Sequence, residues 1–455
     1  MQTKLYDYQE EAVEHNETLL RGGLACVLDG SDMGTGKTPT TVELLRRIDL
    51  PTVVVCPKVS TQSWLRWGDA GGASFAATGY EALRTGKSGF GTWKTRKAWL
   101  KKPDGTSGMV EERFEFVWDE SVGRVVFDEA HRCSAPDSQN SMMLRDARKQ
   151  GLQIVLVTAT PAENPLQMRA MGFALDLHDY KAFYKGWIQK LGYHPGVFAA
   201  FDWTRDEYRQ RMFMDKLHAQ MWPAHGVRVR KTDPRVSAKF PNGIISVDLV
   251  EVDAKHELAR LEGVAMAAWE AIQECKRTGA SETHPQVVYT RTLQELEVLM
   301  VPSMVELIKE AVSKGRHCPV FVNYSGTIRA LQQAFPKAPV IDGEHNDPTY
   351  RQWVMDTFQQ DEHPVLLANS KAGGESISLH DLRGQHPREV FMLPGTSARG
   401  FKQVTGRADR AGAVSDVLTR CLVAAGSKQE KLKKSLDQKL SNIQTLVDGD
   451  LAIYN

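Results

Sequence analysis

Three short stretches carry the residues best suited to chemistry. In SDMGTGKT, residues 31–38, Gly34 and Gly36 flank a turn that ends in Lys37 and Thr38. Glycines let a backbone approach an anion closely, and the amides at the start of a following helix face it. The lysine can reach the β- and γ-phosphates of a nucleotide, and the threonine hydroxyl its Mg²⁺. GRVVFDEAH, residues 123–131, ends an apolar run in Asp128, Glu129 and His131. Asp128 can hold Mg²⁺ through water, and Glu129 can orient and polarise an attacking water; taken alone, the same letters read equally well as an acidic helix start. In QVTGRADRAG, residues 403–412, Arg407 and Arg410 stand three apart beside Gln403. Two permanently charged forks ask for an anion.

These groups need a scaffold. LACVL (24–28) precedes the phosphate loop and TTVELLRRI (40–48) follows it, while TVVVC (52–56), GRVVF (123–127) and QIVLV (153–157) repeat the apolar pattern. Continuous apolar strands alternating with helices predict a parallel sheet covered on both faces, with ligands at the C-terminal ends of its strands. The alternation resumes at PVFV (319–322), PVI (339–341), PVLLA (364–368), EVFML (389–393) and VLTRCLV (417–423). Two α/β domains are therefore expected: 1–175, then an aromatic and helical segment at 176–235, then 236–455 with a solvated helix near 428–440.

Composition excludes little. The 455 residues are 42% hydrophobic and 25% charged with a net charge of +1, ordinary for a globular chain and neutral on nucleic acid. No run approaches a membrane span, the N-terminus lacks an apolar signal stretch, and six scattered cysteines without a CxxC pair suggest neither zinc nor disulfides. A reducing compartment is the simplest reading of the cysteines; the resemblance set out next implies the cytoplasm of a bacterium or a phage-infected cell, with the nucleus as the alternative, and a chain working as a monomer.

Taken in order, the motifs resemble a superfamily 2 DEAH-box helicase or translocase, and more closely its compact Snf2-like branch. LYDYQ (5–9) resembles the Q-motif, SDMGTGKT motif I, VVVCPKVSTQSW (53–64) motif Ia, TGYEAL (78–83) motif Ib, DEAH motif II and LVTATPAENPLQ (156–167) motif III. VRVRKTDPRVSAKFP (227–241) is similar to the segment entering the second lobe, FVNYSGTIRAL (321–331) to motif IV, IDGEHNDPTYRQWVMDTF (341–358) to the Asp-Gly turn and arginine helix, NSKAGGESISLHD (369–381) to motif V and QVTGRADRAG to motif VI. The resemblance implies two tandem RecA-like domains, parallel sheets flanked by helices, with ATP in the cleft between the lobes. It implies adenine contact by Gln9 and a nucleotide cradle of Asp32, Met33, Gly34, Thr35, Gly36, Lys37 and Thr38. Mg²⁺ would lie at Thr38 and Asp128. His131, Thr158, Thr160 and Gln403 would couple the nucleotide to nucleic acid, and motif VI would act from the second lobe, with Arg410 as the finger and Arg407 in support. The chain departs from the pattern at Ser31, where a strict phosphate loop has glycine, at Arg132-Cys133-Ser134-Ala135 after the histidine, and at Glu375-Ser376 in motif V.

The nucleic-acid face is less sharply drawn. RTGKSGFGTWKTRKAWLKK (84–102) holds basic residues without an acid. Arg84, Lys94, Arg96, Lys97, Lys101 and Lys102 can neutralise phosphates, and Trp93 can stack on bases; alternatively the stretch is a solvated hairpin whose tryptophans pack on the first lobe. Lys58, Ser370 and Lys371, in the stretches resembling motifs Ia and V, complete the candidates. The aromatic run at 180–203 reads as packing for a small inter-lobe subdomain rather than a strand-separating element. The expected function is ATP-driven movement on duplex or branched DNA, in branch migration or fork regression. An RNA helicase and a nucleotide-gated binding subunit are the alternatives.

Overall fold

The computed structural model describes residues 4–101, 107–162, 164–191, 207–240, 243–345, 347–370, 377–394, 398–425 and 427. The chain divides into two compact units between Val236 and Ser237. Lys102, Lys371, the Glu375-Ser376 pair, part of the aromatic run and the expected helix at 428–440 lie outside the described residues.

The first unit is built on a six-stranded sheet of β1 (Cys26–Asp29), β2 (Thr52–Cys56), β3 (Ala76–Gly79), β6 (Arg124–Asp128), β7 (Gln153–Val157) and β8 (Gly226–Val227), ordered β3-β2-β6-β7-β1-β8. Every pairing in it is parallel. Side chains alternate between faces, and both faces are apolar, which is why the strands read as unbroken hydrophobic runs. Val27, Val54, Val126 and Val155 meet Val13 and Leu20 of α1 (Asp7–Arg21), Val42, Leu44 and Leu45 of α2 (Lys37–Arg47) and Trp64 of α3 (Thr61–Gly71). On the other face Leu28, Val55, Phe127 and Leu156 meet Met143, Leu144 and Ala147, which belong to a helix at Gln139–Lys149.

The described residues of the aromatic and helical segment at 176–235 fall within the first unit. Phe183, Trp187, Ile188 and Leu191, with Phe213, Met214, Leu217 and Met221, belong to that second core, and β8 is the sheet's edge strand. Within it Phe183 stacks on Trp187 at 5.6 Å. An antiparallel hairpin, β4 (Gly91–Lys101) and β5 (Ser107–Trp118), is inserted after a short helix α4 (Tyr80–Arg84).

The second unit has β9 (Gly243–Val250), β10 (Cys318–Val322), β11 (Val340–Ile341), β12 (Val365–Asn369), β13 (Arg388–Met392) and β14 (Val417–Ala424), ordered β11-β12-β10-β13-β14-β9 and again parallel. The architecture is α/β, with two parallel six-stranded sheets flanked by helices, consistent with tandem RecA-like domains. Three helices, Lys255–Thr278, Thr283–Leu299 and Val301–Ser313, precede β10. Among the described residues no helix is long and apolar enough to cross a membrane, and all six cysteines are free.

One buried ion pair holds the second sheet to its following loops. Arg388 is fully buried, its Nη1 is 2.8 Å from Asp361, and it also donates to the carbonyls of Leu379 and His386. Removing one partner strands a charge in the core, whereas removing both does not. Asp361→Ala is expected to destabilise the second unit by about 3–5 kcal/mol, with the Asp361→Leu/Arg388→Met pair much closer to wild type. Urea unfolding of the three proteins measures both values.

Candidate nucleotide site

The order β6-β7-β1 sets three loop starts side by side at the C-terminal edge of the first sheet. The phosphate loop leaves β1, the acidic pair leaves β6, and Thr158-Ala159-Thr160 leaves β7. Gly34 and Gly36 take φ of +80° and +94°, a left-handed turn that a side chain resists. Gly36 is also the residue before α2, so the loop delivers Lys37 and Thr38 to the first turn of a helix, with its free amides and positive dipole end. Met33 is half-buried and Thr35 buried in the turn.

The loop is braced from two sides. From α1, the buried Gln9 donates through Nε2 to the Thr35 carbonyl at 2.7 Å and accepts the Tyr6 amide at 2.9 Å. A Cβ on Gly36 would lie 2.1 Å from the Gln9 Nε2, so glycine is needed here for space as well as for φ. From β8 and its continuation, the Val227 carbonyl accepts the Gly30 amide at 3.0 Å and the Val229 carbonyl accepts the Asp32 amide at 2.9 Å. The Val229 amide donates to Ser31 Oγ at 3.0 Å, and the Lys231 amide to Asp32 Oδ2 at 2.8 Å. Ser31, the departure from a strict phosphate loop, therefore has a physical reason: its buried hydroxyl receives a strand amide that glycine could not satisfy.

Charge is concentrated where the strands end. Lys37 Nζ donates to the carbonyls of Ser31 at 2.8 Å and Asp32 at 3.0 Å. Burial pulls its ammonium below the ordinary lysine value, opposed by Asp29, Glu129, Asp32 and Asp128. Asp128 accepts the Trp64 indole N–H at 2.8 Å on Oδ2 and the Glu129 amide at 2.9 Å on Oδ1. Burial, then the adjacent Glu129 carboxylate, pushes the Asp128 carboxyl up to about 7. Glu129 sits in a left-handed conformation at φ 50°, rare for a residue with a side chain. Its Oε2 lies 3.2 Å from His131 Nδ1, which is also 3.2 Å from Thr158 Oγ1. Thr158 Oγ1 accepts the Thr160 amide, and the Thr158 amide donates to the Asp29 carbonyl. One polar chain thus runs from Glu129 across β7 to the base of the phosphate loop.

Three contributors escaped the sequence reading. Asp29, 2% exposed at the end of β1, accepts the Ser31 amide at 3.0 Å. Burial raises its carboxyl, with Lys37 acting in opposition. Trp64 and Tyr80 hold Asp128 from both ends, the indole on its carboxylate and the phenol on its carbonyl at 2.8 Å. The signal was present, because a buried indole N–H or phenol needs an acceptor. Spacing alone did not show which acceptor.

The donor set suits Mg²⁺. Among the described residues no three His, Cys, Asp or Glu side chains gather into a cage for a metal. A Mg²⁺ held by one carboxylate, one hydroxyl, phosphates and waters needs no such cage, and Asp128 and Thr38 supply those oxygens.

In the second unit, Gln403 is buried on the helix Ala398–Thr405, and Arg407 and Arg410 follow it. Arg410 donates through Nε to the Gly406 carbonyl at 3.0 Å, through Nη1 to Ser378 Oγ at 2.7 Å and through Nη2 to the Ile377 carbonyl at 3.0 Å. Arg407, 5% exposed, reaches the same Ile377 carbonyl at 3.4 Å.

The nucleic-acid candidates are dispersed. Lys58 is exposed after β2, and Ser370 ends β12 with its amide on the Val322 carbonyl. Trp93 is half-buried against Phe116 at 5.0 Å and donates to the Arg84 carbonyl. The hairpin's basic strand faces acids: Lys94 pairs with Glu115 at 3.0 Å and Arg96 with Glu112 at 2.9 Å, and Lys97 is in register with Glu111. A run without an acid in sequence is a mixed-charge ribbon in the fold.

Two curated proteins align with nearly the whole chain. A protein of Acanthamoeba polyphaga mimivirus named as an ATP-dependent RNA helicase is 26% identical over 461 aligned residues, 98% of this chain and 84% of its own length. A Bacillus subtilis protein named as an ATP-dependent helicase/translocase is 21% identical over 453 residues, 93% of this chain. The chain spans 46% of that protein's length. No protein-family profile matches the chain. Similarity of this extent to proteins with these names supports a helicase superfamily.

Gly36→Ala combines a left-handed φ with a collision against Gln9. It is expected to destabilise the first unit by about 1–2 kcal/mol from backbone strain alone, and Gln9→Ala in the same chain is expected to recover the part due to the collision. Thermal unfolding of the single and double variants separates the two contributions.

Proposed function

We propose that this chain is an ATP-dependent helicase or translocase of the Snf2-like type, coupling ATP hydrolysis to movement on DNA, with branched or forked duplex as its substrate. The observation that carries the reading is the convergence of the phosphate loop, the Asp128–Glu129 pair and the His131–Thr158 link on one sheet edge. Phosphoryl transfer asks a protein mainly for positioning and charge neutralisation, and this edge has the parts for both.

In this reading the loop amides and Lys37 take the β- and γ-phosphates, with Asp32, Met33, Gly34, Thr35 and Gly36 shaping the cradle and Gln9 at the adenine. Lys37 would exchange two carbonyls of its own loop for phosphate oxygens. Asp128 and Thr38 would hold Mg²⁺, which when bound neutralises phosphate charge. Glu129 orients the attacking water, and its contact with His131 gives a route by which Thr158 and Thr160 sense the nucleotide. Arg410 is the finger that meets charge developing on the γ-phosphate, Arg407 supports it, and Gln403 joins them in coupling. Lys58, Arg84, the hairpin cations Lys94, Arg96, Lys97 and Lys101, and Ser370 are proposed contacts to the nucleic-acid strand. Trp93 takes part by fixing the hairpin's root.

The name of the mimivirus relative favours a second reading, an RNA helicase. ATP turnover measured without nucleic acid and with single-stranded DNA, duplex DNA, a four-way junction and RNA decides between them. Greatest stimulation by duplex or junction DNA is expected; stimulation by RNA alone selects the second reading, and none by any of them overturns both.

Lys37→Ala and Glu129→Gln are expected to reduce ATP hydrolysis to background, and wild-type turnover in either would overturn the site. Arg410→Ala is expected to bind ATP nearly normally and to lose roughly 10³-fold or more in turnover, with a smaller loss in Arg407→Ala. Nucleotide titration beside steady-state turnover tests that order.

A further inference from the structure

A buried carboxylate in the second unit reaches out of its own helix into a strand-end loop. Glu297 lies on the helix Thr283–Leu299 and is 5% exposed. Its Oε1 accepts the amides of Asn323 at 2.9 Å and Tyr324 at 3.1 Å, and its Oε2 accepts the Asn323 Nδ2 at 2.8 Å. Burial raises the carboxyl, and the Asn323 and Tyr324 donors oppose the rise. Tyr324 is the N-cap of the helix Ser325–Ala334, and its side chain makes no capping bond. A serine, threonine or aspartate there would cap the helix locally. The acceptor comes instead from 26 and 27 positions earlier in the chain. A carboxylate suits a helix N-terminus, and one brought from a second helix also ties that helix to the loop after β10.

Asn323 passes this restraint across the sheet. Its carbonyl accepts the Asn369 Nδ2 at 2.9 Å, and its own Nδ2 also faces the Pro394 carbonyl at 3.4 Å. The next residue, Ser370, gives its amide to the Val322 carbonyl at 2.7 Å. Asn369 ends β12 and Pro394 follows β13, so the ends of the three neighbouring strands β12-β10-β13 are joined at Asn323. This is the C-terminal edge, where parallel sheets receive ligands. We propose that Glu297 is a positioning residue for nucleic acid: its carboxylate fixes Asn323, which through Asn369 sets the place of Ser370. The proposal rests on the reading of Ser370 as a contact to the nucleic-acid strand. Two features favour positioning over a cap alone. A cap needs only the backbone amides, yet the second carboxylate oxygen is given to the Asn323 side chain. The polar groups of Asn323 are also divided among the helix Thr283–Leu299, β12 and the residues after β13, so displacing this one residue disturbs the strand ends together.

The test measures ATP turnover of the full chain against rising nucleic acid, using whichever of single-stranded DNA, duplex DNA, a four-way junction and RNA stimulates wild type most. Glu297→Gln keeps the shape but sets an amide donor against a donor of the loop. It is expected to raise the half-saturating nucleic-acid concentration about tenfold, the scale of one hydrogen bond to a charged group. Maximal turnover and the KM for ATP are expected within about twofold of wild type, a split that a general loss of folded protein would not give. The swap Glu297→Gln/Asn323→Asp reverses donor and acceptor across the contact and is expected to recover most of the loss. Asn369→Ala leaves the Glu297 contacts intact and is expected to give a smaller rise of the same kind; it carries the test if Glu297→Gln does not fold. Half-saturation equal to wild type in Glu297→Gln or, failing that, in Asn369→Ala overturns the inference. So does a fall in maximal turnover with half-saturation unchanged, or a swap no better than Glu297→Gln. If no nucleic acid stimulates wild type, the underlying reading fails as well. If wild type is stimulated and half-saturation is indifferent to these variants, positioning by Glu297 alone is lost.

Discussion

The first unit is organised around a crowded set of charges. Asp29, Asp32, Asp128 and Glu129 surround one ammonium, that of Lys37, at the edge of an apolar sheet. Acids this close repel one another and are costly to bury, so each must be held by a specific donor. Asp29 has the Ser31 amide, Asp128 has Trp64 and the Glu129 amide, and Asp32 has Lys231. The excess of acid over base leaves negative charge at this edge that Lys37 alone does not balance. It also explains why so much polar scaffolding converges on a few residues.

That scaffolding recruits distant sequence. Residues 227–231, from β8 onward, bond to Gly30, Ser31 and Asp32, and the chain reaches the boundary between the units only five residues later, at Val236. Trp222 lies against Gly30 closely enough that a Cβ there would be 2.3 Å from its ring, and its indole donates to the Val227 carbonyl. The segment leading into the second unit is therefore also part of the phosphate loop's wall.

Most of the sheet-forming runs were legible in the sequence because both faces of each strand are covered, which leaves an unbroken apolar signature. The tight turn at Gly34 and Gly36 was legible because its glycines have a local, φ-driven reason. What stayed hidden was set by register over long separations. Lys94 and Glu115 are 21 positions apart, and no local pattern shows that a basic strand will be zipped to an acidic one. Asp29 reads as the end of an apolar strand until Ser31 and Lys37 turn back over it. Phe183 and Trp187 read in sequence like part of an interaction surface, and only the fold shows them in the core of the first unit. Trp93 and Trp99, six apart on one strand, look equivalent in sequence, yet one anchors the hairpin and the other is exposed.

The same distinction between composition and arrangement applies to the two arginines of the second unit. Their types alone ask for an anion. In the fold all three donor nitrogens of Arg410 are engaged by neighbouring oxygens, and Arg407 shares one of them, the Ile377 carbonyl. Such contacts do not neutralise a guanidinium, which stays charged even when buried. They fix its direction. A free arginine side chain loses about 2 kcal/mol of rotamer entropy when it is immobilised, and a fork already held by carbonyls loses less when it exchanges one of them for phosphate. The tethers on Arg410 thus set the direction of its fork and lower the entropy it would lose on meeting an anion.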